Sequence, residues 1–115
     1  MPLINHNDLR TFISQLMQAY GASEDEATLI SEHSVEANLV GHDSHGVIQI
    51  PTYIDRIQRG HIKPGAEIEI NNESRTTARI NGNWGFGYYV SDFAMKLAIK
   101  KAQEDNIAAI TVVQQ

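Results

Sequence analysis

The chain contains no cysteine. That excludes a disulfide framework, a thiolate metal site and a cysteine nucleophile. Basic residues are also scarce: 9 Lys and Arg stand against 14 Asp and Glu, a formal net charge of −5. No basic cluster or Arg-rich helix offsets this deficit, so neither nucleic acid nor an anionic membrane surface is expected as a partner. No apolar run approaches the roughly 20 residues that span a bilayer. The first ten residues carry no apolar stretch of the secretory kind. The expected location is the cytoplasm. The remaining composition, 42% hydrophobic and 20% charged over 115 residues, is globular. It is too apolar for a disordered tail and sufficient for one modest domain.

The pattern along the chain predicts an α/β (more narrowly α+β) segment: three helices, then a β-hairpin, a helix and a strand. The first helix is expected from Asp8 to Tyr20 with Asn7 as N-cap. Leu9, Phe12, Ile13, Leu16 and Met17 recur at helical spacing, and Gly21 supplies the stop. Ser23-Glu24-Asp25-Glu26 is a capping-box pattern that opens a second helix, which Gly41 ends. A third helix fits Ser44 to Arg59, although Pro51 disfavours helix at Ile50 and predicts a kink or a broken start there. After Pro64-Gly65 the period changes from helical to alternating. Ile68 and Ile70, then Thr76, Ala78 and Ile80, predict two antiparallel strands about a turn at Asn71–Ser74. A helix over Tyr88–Asp105 and a buried strand over Ile107–Val113 follow. The chain thus divides into a helical part, 1–65, and the start of an α/β domain, 66–115. The last strand is followed by only two residues, so the sequence reads as the N-terminal part of a longer protein.

Chemistry concentrates in Gly41-His42-Asp43-Ser44-His45-Gly46. In a continuous third helix His45, Gln49 and Tyr53 would lie four apart on one face, with Val47, Ile50, Ile54 and Ile57 opposite. Such a face can line a cleft where imidazole donates or accepts a proton, or it can be an ordinary solvated surface. His42 and His45 with Asp43, helped by His33 or Glu36, invite a zinc reading, but no third ligand is well placed and no metal is assigned. Asp43 and Ser44 are equally good N-caps. Gly82, Gly85 and Gly87 precede a helix but match neither a dinucleotide fingerprint nor a P-loop, so turn geometry is their expected role. Trp84, Phe86, Tyr88 and Tyr89 beside them suit packing or an interface.

Taken together, these residues resemble the type 2 malate/L-lactate dehydrogenase family, NAD(P)-dependent L-2-hydroxyacid oxidoreductases that include ureidoglycolate and sulfolactate dehydrogenases. The likeness rests on Gly41-His42-Asp43-Ser44-His45-Gly46-Val47, then Pro51, Tyr53, Arg56, Gly60, Ile62, Pro64 and Gly65. It continues through Asn81–Gly87, Ala94, Met95, Ala98, Ala102 and the terminal strand. The resemblance implies a non-Rossmann dehydrogenase fold, incomplete in this chain, and an NAD or NADP cofactor. It implies a small 2-hydroxy or 2-oxo acid as substrate and a cytoplasmic homodimer at full length. It makes Ser44, His45 and Tyr53 substrate-pocket residues, with His45 catalytic. Where the family has a pocket arginine, this chain has Gln49, which cannot clamp a carboxylate with charge. Most of the cofactor site and an acid/base histidine are expected beyond Gln115, so no cofactor-binding residue is assigned and the segment alone is expected to be inactive. Two other readings compete: a complete small binding or dimerisation module, and a metal-dependent hydrolase using His42 and His45.

Overall fold

The computed structural model describes residues 2–115. They form two compact units, one ending at Gly65 and one spanning Ala66–Gln115. The first is helical. Helix α1 runs His6–Ala19 and buries Ile13 and Met17. Its N-cap is Asn5, not Asn7 as the sequence predicts: the Asn5 side chain accepts from the backbone N–H groups of Asn7 and Asp8. Either asparagine has the right chemistry, and the one two residues upstream reaches both donors. Gly21, at φ +99°, makes the left-handed stop.

Helix α2, Glu24–Leu39, opens on the predicted capping box. Glu26 is 1% exposed and closes the box by accepting from Ser23 N at 2.8 Å. The same carboxylate accepts from the Gly65 backbone N–H at 3.0 Å. One buried acid therefore joins the start of α2 to the far end of the unit, 39 residues away. The buried positions Ala27, Ile30, Ser34 and Val35 give α2 a face toward the core, where Ile50 is also buried.

The third predicted helix is shortened. Two single 3-10 turns, Asp43–His45 and Val47–Gln49, precede helix α3, Ile50–Gln58. Pro51 sits in the first turn of α3, where its missing N–H would have had no helical acceptor in any case. Of the two outcomes expected at Pro51, the broken start is the one found, but Ile50 before it is already helical at φ −58° and ψ −46°, against the expectation that proline disfavours helix there.

In the second unit β1, Glu69–Asn71, pairs antiparallel with β2, Thr77–Asn81, in the register Ile70 opposite Ile80. Helix α4, Gly87–Asp105, then crosses over to β3, Ala109–Val113, which lies parallel to β2. The sheet order is β1-β2-β3. Ile80, Val90 and Ala94 form the buried centre, with Ile68, Leu97, Ile110 and Val112 packed around it. The last strand is less buried than its β-branched composition predicts, with Ala109 and Thr111 exposed. It is an edge strand covered on one face. Lys101, which fits the apolar register of α4, is 8% exposed and reaches out of it. Its ammonium donates to the Ser74 carbonyl at 2.6 Å and pairs with Glu73 at 3.0 Å, holding the β1–β2 turn. No helix of the described residues is long and apolar enough to cross a membrane.

Replacing Glu26 with Ala removes one partner from two backbone donors at once. A cap loss and a stranded buried donor together are expected to cost about 2–4 kcal/mol. Glu24→Ala, at an exposed position of the same turn, is expected to stay within about 0.5 kcal/mol. Denaturant unfolding of both variants checks this; equal effects would show that the Glu26 clamp contributes nothing.

Candidate functional site

Helix α2 ends in a tight reversal. His42 N donates to Ala37 O at 2.7 Å, and Gly41 between them has φ +81°. The chain then makes the first 3-10 turn, closed by His45 N to His42 O and Gly46 N to Asp43 O, each 3.0 Å. Gly46 is extended, and the second turn is closed by Gln49 N to Gly46 O at 3.1 Å. This corrects one expectation: His45, Gln49 and Tyr53 do not share a helical face. His45 precedes Gly46, Gln49 closes the second turn, and Tyr53 lies half-buried in α3. A break at Gly46 destroys the four-residue phase that the spacing suggested.

The turns nevertheless bring most of the singled-out residues together. Ser44 Oγ lies 3.0 Å from His45 Nδ1. Gln49 Nε2 donates to the Ser44 carbonyl at 2.9 Å, so its carboxamide folds back over the turn that bears the histidine. The rings of His42 and His45 meet edge to face, with centroids 4.4 Å apart and planes at 70°. His42, Ser44 and His45 are exposed, Gln49 is half-buried and Gly46 is buried. The result is a surface imidazole whose ring is flanked by a hydroxyl and by a second ring, on a turn fixed from below. It can offer a hydrogen bond or a proton to an oxygen of a small ligand.

Asp43 and Ser44 do not serve as helix N-caps: neither 3-10 turn nor α3 has a side-chain cap. Asp43 instead accepts from Asn38 Nδ2 at 2.7 Å, and Asn38 Oδ1 accepts from Val47 N at 2.9 Å. Sequence reasoning missed Asn38 entirely. Its only advance signal is a polar side chain in the last turn of a helix that leads into the motif. His33 and Glu36, weighed as metal ligands, line a cavity with Asn7, Arg10 and Glu32. Among the described residues no group of three or more His, Asp or Glu is placed to hold a metal ion.

The glycine loop before α4 is closely packed at two of its three glycines. A Cβ on Gly82 would lie 2.8 Å from the Gln114 carbonyl and 2.9 Å from Val90. One on Gly85 would lie 3.1 Å from the Gly82 carbonyl. The space at Gly82 and Gly85 is filled by the protein's own chain, whereas a Cβ on Gly87, at the start of α4, would meet nothing within 4 Å. The left-handed residues of the loop are Asn83 and Trp84, at φ 49° and 62°, so turn geometry is not what requires glycine there. Calorimetric titration of the 115-residue chain with NAD and with NADP is therefore expected to give no heat beyond dilution. Micromolar binding of either would place a cofactor site in this segment.

A family model described as malate/L-lactate dehydrogenase matches residues 4–115. The chain is 36% identical over 104 residues to hydroxycarboxylate dehydrogenase B of Escherichia coli, covering 90% of this chain and 29% of that protein. It is 36% identical over 110 residues to malate/(S)-sulfolactate dehydrogenase of Methanothermus fervidus, covering 96% of this chain and 32% of that protein. The solved sulfolactate dehydrogenase of Methanocaldococcus jannaschii superposes with a TM-score of 0.94 at 32% identity, covering 96% of this chain and 32% of that one. The chain thus spans between 29% and 32% of the length of these proteins.

Proposed function

This chain belongs to the malate/L-lactate dehydrogenase family, and we propose that it supplies the substrate-holding part of a cytoplasmic, homodimeric oxidoreductase. That enzyme moves a hydride between NAD or NADP and a small 2-hydroxy or 2-oxo acid. The relatives named for malate, sulfolactate and hydroxycarboxylates support the substrate class. The single observation that carries the reading is the His45 imidazole, exposed at the surface with its Nδ1 against Ser44 Oγ.

In this reading the segment binds and orients but does not complete the reaction alone. His45 hydrogen-bonds the substrate carboxylate or its C2 oxygen, and the bond strengthens as charge develops on that oxygen. Ser44 fixes the ring's orientation from its other nitrogen. Tyr53 adds a hydroxyl from the first turns of α3. Gln49 stands where the family's resemblance places an arginine, and its carboxamide is already engaged with the Ser44 carbonyl. It therefore brings no charge to a second anionic group, which favours a substrate with a neutral or small C2 substituent.

His45→Ala in the full-length enzyme is expected to lower kcat/KM about 100-fold. His42→Ala should cost less but is not neutral, because its ring packs on His45. An edge-to-face contact of this kind is worth about 0.5–1.5 kcal/mol, or roughly 2- to 10-fold in rate. Steady-state kinetics on the best 2-hydroxyacid decides: equal, large losses at both would favour a shared metal, and no loss at His45 would remove it from the site.

Gln49→Arg should raise the ratio of kcat/KM for malate over lactate by about tenfold or more, since a bidentate charge pair becomes available to the second carboxylate. An unchanged ratio would show that position 49 does not face the variable end of the substrate.

A further inference from the structure

We propose that Asn38 is a positioning residue, and that its carboxamide locks the His45-bearing turn in the shape that receives substrate. The inference rests on the reading of Ser44 and His45 as substrate-binding residues. Asn38 lies in the last turn of α2, and no reading of the motif includes it.

Its two hydrogen bonds bracket the site. Asn38 Nδ2 donates to Asp43 Oδ1 at 2.7 Å, at the first residue of the first 3-10 turn. Asn38 Oδ1 accepts from Val47 N at 2.9 Å, at the first residue of the second. Ser44, His45 and Gly46 are the residues between. The amide orientation is forced: reversed, its NH2 would face the Val47 N–H and its oxygen would face a carboxylate. Single 3-10 turns are weak structures, and neither of these carries a side-chain cap of its own. Asn38 supplies what both lack. Gly46 is shaped to it as well, for a Cβ there would sit 2.2 Å from Asn38 Oδ1. Gly46 has φ −86°, so space, and not backbone conformation, excludes a side chain at this position.

Polarity gives the decisive test. In Asn38→Asp the acceptor for Val47 N remains, but a carboxylate faces Asp43 and the bridge opens. The double variant Asn38→Asp/Asp43→Asn restores a donor and an acceptor with their direction reversed. In the full-length enzyme Asn38→Ala and Asn38→Asp are expected to lose about 10- to 100-fold in kcat/KM, the scale on which small misplacements act. The double variant is expected to recover to within about fivefold of the parent. Assays run at a temperature where circular dichroism shows every variant folded, so that loss of fold does not imitate loss of position.

Amide exchange of residues 43–49, followed by mass spectrometry in the same proteins, separates the failures. Faster exchange in Asn38→Ala, with activity lost and rescued by the swap, supports the proposal. Unchanged exchange overturns it. Faster exchange with full activity also overturns it when His45→Ala is damaging. When His45→Ala is harmless too, the site reading falls and takes this inference with it.

Discussion

A buried carboxylate in so small a helical unit is tolerable only if its oxygens are occupied, and those of Glu26 accept from backbone donors at the start of α2 and at the far end of the unit. Ser23 N and Gly65 N point at the same side chain. The segment from 23 to 65 is thereby closed on itself, and the candidate site at His42–Tyr53 lies inside that closure. The acid also sits in the first turn of α2, where the exposed N–H groups of the helix favour negative charge. Lys101 plays the corresponding part in the other unit. Its ammonium holds the Glu73–Ser74 turn from 27 residues away. Each unit thus uses one mostly buried ion to bind a loop that its small apolar core could not hold alone.

These clamps were legible in unequal measure. The capping box at Ser23 follows from local chemistry, because donor and acceptor are three residues apart and the pattern fits few other uses. That its acid also reaches Gly65 is a tertiary fact with no local trace. The helix stops at Gly21 and Gly41 and the antiparallel pairing of β1 with β2 were readable for the same reason as the cap, because they depend on neighbours in the chain; the register was not, since Asn71, expected in the turn, pairs with Arg79 inside the strand. The reach of Lys101 to Ser74 and Glu73 has no trace in its helical spacing, which records where a side chain starts and not where its charge ends.

The site shows the same division more sharply. The resemblance and the cluster of polar residues picked out Ser44, His45 and Gln49, and the turns do bring these three into contact. The helical face expected to unite His45, Gln49 and Tyr53 does not form. A continuous period from His45 to Tyr53 runs through both Gly46 and Pro51, two residues that each favour a break over continuity. Pro51 marked the conflict correctly. The chain resolved it by starting α3 there and leaving the histidine on a short turn. Spacing can name residues that belong together while misstating the geometry that unites them.

A histidine on a short turn has a different physical character from one on a helix. A helix orients its side chains through many cooperative backbone bonds, so the loss of one contact moves them little. The turn from Asp43 to Gln49 has one closing bond per few residues, and its shape depends on side chains: Asn38 from α2, Gln49 from its own C-terminal end, and the packing of His42 on His45. Two of these three contributions, those of Asn38 and His42, come from residues that need never touch a ligand. On the proposed reading, changes in substrate preference therefore arise here without any change at His45. Gln49 has two ways to act, through the charge it lacks and through the carbonyl it holds. A substitution at 49 exchanges both at once, and only comparison with a neutral residue of different reach, such as Gln49→Met, separates them. If Gln49→Met keeps the parent's preference among substrates while lowering turnover on all of them, the residue acts by holding the turn; if the preference changes, it faces the substrate.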